Sequence, residues 1–178
     1  MFLRYNRHRA RGQSLVEFAL ILPILLMFLW GLLGTTLIML NNISLTNASR
    51  AATRYASINA QAWSNASNPP TNTIQGQAMA DAGLSGLQNN DTDIQITYWD
   101  TSTSPPTECG YFSATSDEFV PLGSYTQASC VVAGNEVQVK LTSQFNIFTG
   151  PSQGSPMPAT FTISDQTIMV IEVTPSGA

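Results

Sequence analysis

Glu17 follows the arginines at positions 4, 7, 9 and 11 and stands at the mouth of a run, Phe18 to Leu40, that carries no charge. A carboxylate within hydrocarbon costs about 2.5–3.5 kcal/mol on insertion scales, so an acid at this place implies a partner that neutralises it. Other candidates for chemistry are few. The single histidine, His8, precedes the apolar run, which deprives the rest of the chain of the imidazole that catalytic triads and most zinc sites use. Asp91 and Asp93 are close enough to help hold calcium, but no glycine-containing ligand loop surrounds them, and a solvated turn is expected instead. No catalytic residue, metal or cofactor is therefore expected, and the chain is not expected to be an enzyme.

Arg50 and Arg54 are one helical turn apart, roughly 15 Å of helix beyond Leu40 at its nearer member. Lipid phosphate, an acid on a neighbouring subunit and plain solvent all suit such a pair, and spacing leaves the three open. Cys109 and Cys130 are the only cysteines, and both follow the apolar run. In an oxidising compartment they are expected to form one disulfide, which would contribute roughly 3 kcal/mol by restricting the unfolded chain.

The elements that must position these residues begin with the apolar run. As a helix it would be roughly 35 Å long, against a hydrocarbon core of about 30 Å, so residues 13–40 are expected to span a membrane. The run exceeds a signal peptide's apolar region, and Asn41-Asn42-Ile43 behind it offers no small-residue cleavage site. The four arginines before it place the amino terminus in the cytoplasm by the positive-inside rule, with residues 41–178 extracytoplasmic. Removing residues 1–12 takes four of the seven basic residues and none of the eleven acids, so the formal charge falls from −4 to −8. Such an acidic surface argues against nucleic acid as a partner.

No Gly or Pro occurs between Thr35 and Asn68, so the helix is expected to continue to about residue 66, until Asn68-Pro69-Pro70 stops it. Leu45, Ala48, Ala52, Tyr55 and Ala62 share one stripe that suits packing on a sheet, and Ala48, Ala52, Ala56 and Ala60 make a ridge low enough for another backbone to approach. A short helix is expected from Thr73 to about Leu87. Alternation predicts strands at Ile94–Tyr98, at Val137–Leu141, and from Phe161 to Ile171 with an irregularity at Ser164-Asp165-Gln166. The fold class expected is α+β: the long helix packed against a three-stranded antiparallel meander. Residues 101–134, between the first two strands, form an insertion that holds both cysteines. A disulfide-pinned lobe is expected there, with short strands around Phe119-Val120 and Val131-Val132. It is either a partner-specificity element or a tolerated surface insertion.

A basic leader ending in Gly12, then Glu17-Phe18, then an apolar helix with Pro23, resembles the start of type IV prepilins. More closely, Gly12-Gln13-Ser14-Leu15-Val16-Glu17-Phe18-Ala19-Leu20, with Leu22-Pro23 and the later Ala48-Ser49-Arg50-Ala51-Ala52-Thr53-Arg54-Tyr55-Ala56, resembles the TadE family of minor pilins, or pseudopilins, of tight-adherence pili. The resemblance implies a leader of residues 1–12 cut between Gly12 and Gln13 by a prepilin peptidase. It implies partners among pilin and minor-pilin subunits and an assembly platform that withdraws the mature helix from the inner membrane, placing it in a pilus at the cell surface. Glu17 would pair with the new α-ammonium on Gln13 of a neighbouring subunit, Phe18 would adjoin that contact, and Pro23 would kink the helix or melt a turn. A structural subunit that initiates or caps a pilus is the function implied. The alternative is an uncleaved, signal-anchored domain that binds a ligand outside the membrane.

Overall fold

The computed structural model describes residues 10–83, 86–146 and 160–172. The chain divides into two compact units, Met1–Met39 and Leu40–Ala178. Arg4, Arg7, His8 and Arg9 lie outside the described residues, as does the tail after Glu172.

Helix α1 runs from Ala10 to Ile58. It starts three residues before the expected position 13 and stops well short of residue 66. The early end has a tertiary cause. Beyond Ile58 the chain turns so that the Ala60 carbonyl accepts the Tyr98 phenol, the Ala62 carbonyl accepts the amide of Ile74, and the indole of Trp63 donates to the Tyr98 oxygen at 2.8 Å. These bonds replace those that further helical turns would have made, and they carry Trp63 onto the sheet. Helix α2 spans Ile74–Asp81, shorter than the expected stretch to Leu87, with Thr73 as N-cap accepting from the amide of Gly76. A side chain at Gly76 would collide with the Pro70 carbonyl, so the glycine serves a close backbone approach at the start of this helix.

Five strands, not three, form one antiparallel sheet: β1 (Ile94–Asp100), β2 (Thr107–Ser113), β3 (Glu118–Pro121), β4 (Glu136–Asn146) and β5 (Thr160–Val170), in the order β3-β2-β1-β4-β5. The insertion at 101–134 supplies β2, β3 and the single-turn helix α3 (Gln127–Cys130), so it widens the sheet instead of standing off as a separate lobe. Phe119 and Val120 do lie in a strand. Val131 and Val132 do not, because they follow directly on α3 and Val131 caps its carboxyl end. The three strands expected from the sequence, β1, β4 and β5, are antiparallel neighbours in that order, as a meander requires, and β2 and β3 extend the sheet from the other side of β1.

Strand β5 pairs with β4 without a register break from Glu136↔Val170 to Asn146↔Thr160, so the irregularity expected at Ser164-Asp165-Gln166 is absent. Polar residues at 165 and 167 interrupt the hydrophobic alternation, yet they keep the inward-facing parity of Ile163, Met169 and Ile171. The facing segment of α1 explains why. Ala48, Ala52 and Ala56 are fully buried there, beside a second buried row of Ser49, Thr53 and Ser57. The Ser49 hydroxyl donates to the Asp165 carboxylate and lies 2.9 Å from the Thr167 hydroxyl, while Thr53 donates to the Thr167 carbonyl at 3.4 Å. Polar residues on β5 thus meet polar residues on the helix, satisfying groups that burial alone would penalise.

The core comprises Leu45 and the alanines of α1, Ile74 and Ala78 of α2, and the inward residues Ile94, Ile96, Tyr98, Phe112, Val137, Val139 and Leu141 of the sheet. Of the stripe read from the sequence, Leu45, Ala48 and Ala52 are buried and Tyr55 is half-buried, its phenol donating to the Asn72 carbonyl at 2.8 Å. Asn59 and Ala62 lie past the helix end.

Candidate processing and assembly site

Gly12 and Gln13 belong to the first turns of α1, and Glu17 follows Gln13 by four residues, which is one turn. Side chains on a helix lean toward its amino end, so the Glu17 carboxylate is directed over the turn that contains Gln13. Glu17 and Phe18 are both exposed. Glu17 makes no ion pair or hydrogen bond with its side chain among the described residues. The helix remains α-helical through Pro23, and no melted turn is present there. Leu15 to Leu40 display apolar side chains around the whole circumference, with Leu20, Ile24, Met27 and Phe28 each more than three-fifths exposed. The helix Ser14–Ile58 is long and apolar enough to cross a membrane by length and composition. A helix that is apolar on every side requires an apolar surrounding on every side, which water cannot provide.

In the second unit the two remaining site candidates on α1, Arg50 and Arg54, point away from the sheet. Both are exposed, and neither forms an ion pair among the described residues. Their neighbours on the same stripe are Ile43, Asn47 and Ile58, all exposed.

Cys109 and Cys130 form the expected disulfide, with Cα atoms 5.7 Å apart. The register between β1 and β2 shifts between Tyr98 and Trp99, which leaves Cys109 as the extra residue of a bulge, buried and directed to α3. The bond thereby ties the sheet to the connection between β3 and β4.

The acid pairs are used locally. Asp91 accepts from the hydroxyls of Ser113 and Thr115 at 2.9 and 2.8 Å and from the amide of Ala114. Desolvation pushes its pKa upward, but the hydrogen bonds from Thr115, Ser113 and Ala114 together outweigh it and hold the carboxyl below its ordinary value. Asp93 turns elsewhere and accepts from the Gln88 amide at 3.0 Å. Asp100 is held low by hydrogen bonds from Ser102, with a smaller share from the Tyr125 phenol, whose own pKa the Asp100 carboxylate raises. No group of three or more His, Cys, Asp or Glu residues placed to hold a metal occurs among the described residues. A shallow cleft of ≈ 390 Å³ on the sheet face turned away from α1 is lined by Asp91, Gln95, Thr97, Glu108 and Tyr111.

Two structural features escaped the sequence reading. One is the polar seam of Ser49 and Thr53 with Asp165 and Thr167, whose signal was the matched pair of polar positions at i, i+4 on the helix and i, i+2 on the strand. The other is the anchoring of the β2–β3 turn by Asp91, 22 residues before Ser113; no local pattern announces it.

Comparison with curated proteins and with solved structures returns no significant match. Residues 12–54 match the model of the family described as TadE-like protein. That stretch opens on Gly12 and closes on Arg54, taking in Glu17, Phe18, Pro23 and Arg50 on the single helix α1, so this chain carries a TadE-like amino-terminal segment.

Proposed function

We propose that the chain is a minor pilin, or pseudopilin, of a tight-adherence pilus: a structural subunit, not a catalyst, that helps initiate or cap the fibre. The observation that carries this reading is the coincidence of the TadE-like match at 12–54 with a helix able to cross a membrane, followed directly by a folded domain. On this reading the amino terminus is cytoplasmic, the domain beyond Leu40 is extracytoplasmic, and a prepilin peptidase cuts between Gly12 and Gln13. The cut removes the arginines that anchor the helix and creates an α-ammonium on Gln13.

Glu17 then becomes the fifth residue of the mature chain. A carboxylate near a helix amino end is favoured by the exposed amide dipoles, and pairing with the α-ammonium of a neighbouring subunit offsets its cost in lipid. Processing thus removes the arginine anchor and supplies the ammonium with which the Glu17 carboxylate of a neighbouring subunit can pair. Pilin subunits, the peptidase, the assembly platform and membrane lipid are the partners this requires.

Mass spectrometry of the protein purified from pili tests the reading: the mature chain is expected to begin at Gln13. Gly12→Ala is expected to abolish cleavage, and Glu17→Ala to permit cleavage while lowering incorporation into fibres. Functional fibres whose subunit still begins at Met1 would overturn the proposal.

A further inference from the structure

The outer unit is acidic, and two of its three cations stand together. From Leu40 onward the chain has ten acids against Arg50, Arg54 and Lys140. Copies of such a domain repel one another unless a cationic surface is presented to an acidic one. Arg50 and Arg54 are presented in that way. They stand on the rigid face of α1 opposite the buried alanines, flanked by Ile43 and Ile58, which are 54% and 49% exposed. Despite ten acids in the same unit, neither arginine forms an ion pair among the described residues.

A complementary surface lies at the opposite edge of the sheet. Asp117 and Glu118 are adjacent, exposed and likewise without an ion pair, at the turn between β2 and β3. That turn is fixed: Asp91 accepts from Ser113, Ala114 and Thr115, and Asp117 is held at φ 55°. Helix α1 rests against β5 through Ser49 and Thr53, whereas the turn belongs to β3, and these are opposite edges of the sheet. Five strands separate such edges by about 19 Å, which is beyond the reach of an arginine.

From these observations we infer that the Ile43–Arg50–Arg54–Ile58 stripe of one copy docks on the Asp117–Glu118 turn of a second copy. The two surfaces differ, so the contact is heterologous, each copy offering one surface to its neighbour. This inference rests on the reading as a pilus subunit and names the contact between its outer domains. Acid is favoured over lipid as the counter-charge because Arg50 and Arg54 lie roughly 15 and 21 Å along the helix from Leu40, past a headgroup layer of about 5–7 Å.

Carbodiimide coupling of the full-length chain in detergent micelles tests it, using Arg54→Lys to supply an amine and a mixture of isotopically light and heavy protein. The expected product is a mixed-isotope peptide joining position 54 to Asp117 or Glu118. It should disappear with Asp117→Asn and Glu118→Gln combined. Charge reversal by Arg50→Glu with Arg54→Glu is expected to weaken self-association about tenfold, and Glu118→Arg added to that pair to restore most of the loss. Coupling of position 54 to other acids only, or none at all, would overturn the inference, as would self-association that depends on added phosphatidylglycerol and ignores Glu118. A chain that couples as expected yet is never cleaved at Gly12 would refute the pilus reading while leaving the contact standing.

Discussion

The two halves of the sheet are held in different ways. The β4–β5 half lies on α1, where small residues bring the helix close and a row of Ser and Thr hydroxyls meets Asp165 and Thr167. The β2–β3 half meets the single-turn helix α3. It is secured by single long-range ties: the Cys109–Cys130 disulfide, the Asp91 carboxylate at the β2–β3 turn, and an aromatic group in which Trp63 stacks on Phe112 at 5.1 Å and Phe119 at 6.1 Å between centroids. Gly110 leaves the space that Phe119 fills. Surface that repeats along a helix tolerates many sequences. A half held by isolated contacts depends on each of them.

The largest effect should come from Trp63→Ala, which removes the indole that joins Tyr98 of β1 to both inserted strands. A loss of about 3–4 kcal/mol is expected in denaturant unfolding of the full-length chain. Replacing both cysteines with Ser should cost roughly 3 kcal/mol by the chain-entropy argument, with amide exchange rising in β2 and β3 while β4 and β5 stay protected. Ala52→Leu should cost about 2 kcal/mol by forcing α1 away from the sheet, and here the exchange should rise in β5 instead. Equal exchange in both halves for either variant would erase the contrast between them.

Asp91→Asn carries the smallest effect, about 1 kcal/mol, because the site is half-exposed and its hydrogen bonds compete with water. The sign with pH is fixed. The folded carboxyl titrates below its ordinary value of 3.8, so its contribution is fully present above that value and is lost as pH falls through the lower folded one. Wild type should therefore lose this stability only below about pH 4, whereas Asp91→Asn should show the loss at neutral pH and a flatter acid limb. Unfolding curves at pH 7 and pH 3 separate the two.

This contrast matches what was legible. Strands β1, β4 and β5 alternate strongly enough to be read directly, and Leu45, Ala48 and Ala52 form a stripe because the helix repeat puts them on one side. Strands β2 and β3 are only seven and four residues long. Strand β2 contains Gly110 and a bulge at Cys109, so its period is broken where the disulfide and Phe119 require it. The polar positions 164–166 looked like an interruption because the compensating hydroxyls lie on a helix more than a hundred residues earlier. Between Ile58 and Asn68 no Gly or Pro stops a helix, which is why the sequence points to one reaching about residue 66; the tertiary bonds to Tyr98 and Ile74 end it at Ile58 instead.

Composition and spacing were enough to establish an uncharged run long enough to span a bilayer, the carboxylate at its mouth and the Gly12-to-Pro23 pattern, because those features are properties of consecutive residues. The number of strands, their order, and the end of α1 at Ile58 came only with the folded chain, because each depends on partners far apart in sequence meeting at distances that no local pattern encodes. Cys109 and Cys130 bridge the two cases. Their pairing could be anticipated as the sole option, but the bulge that turns Cys109 toward α3 exists only once β1 and β2 are side by side.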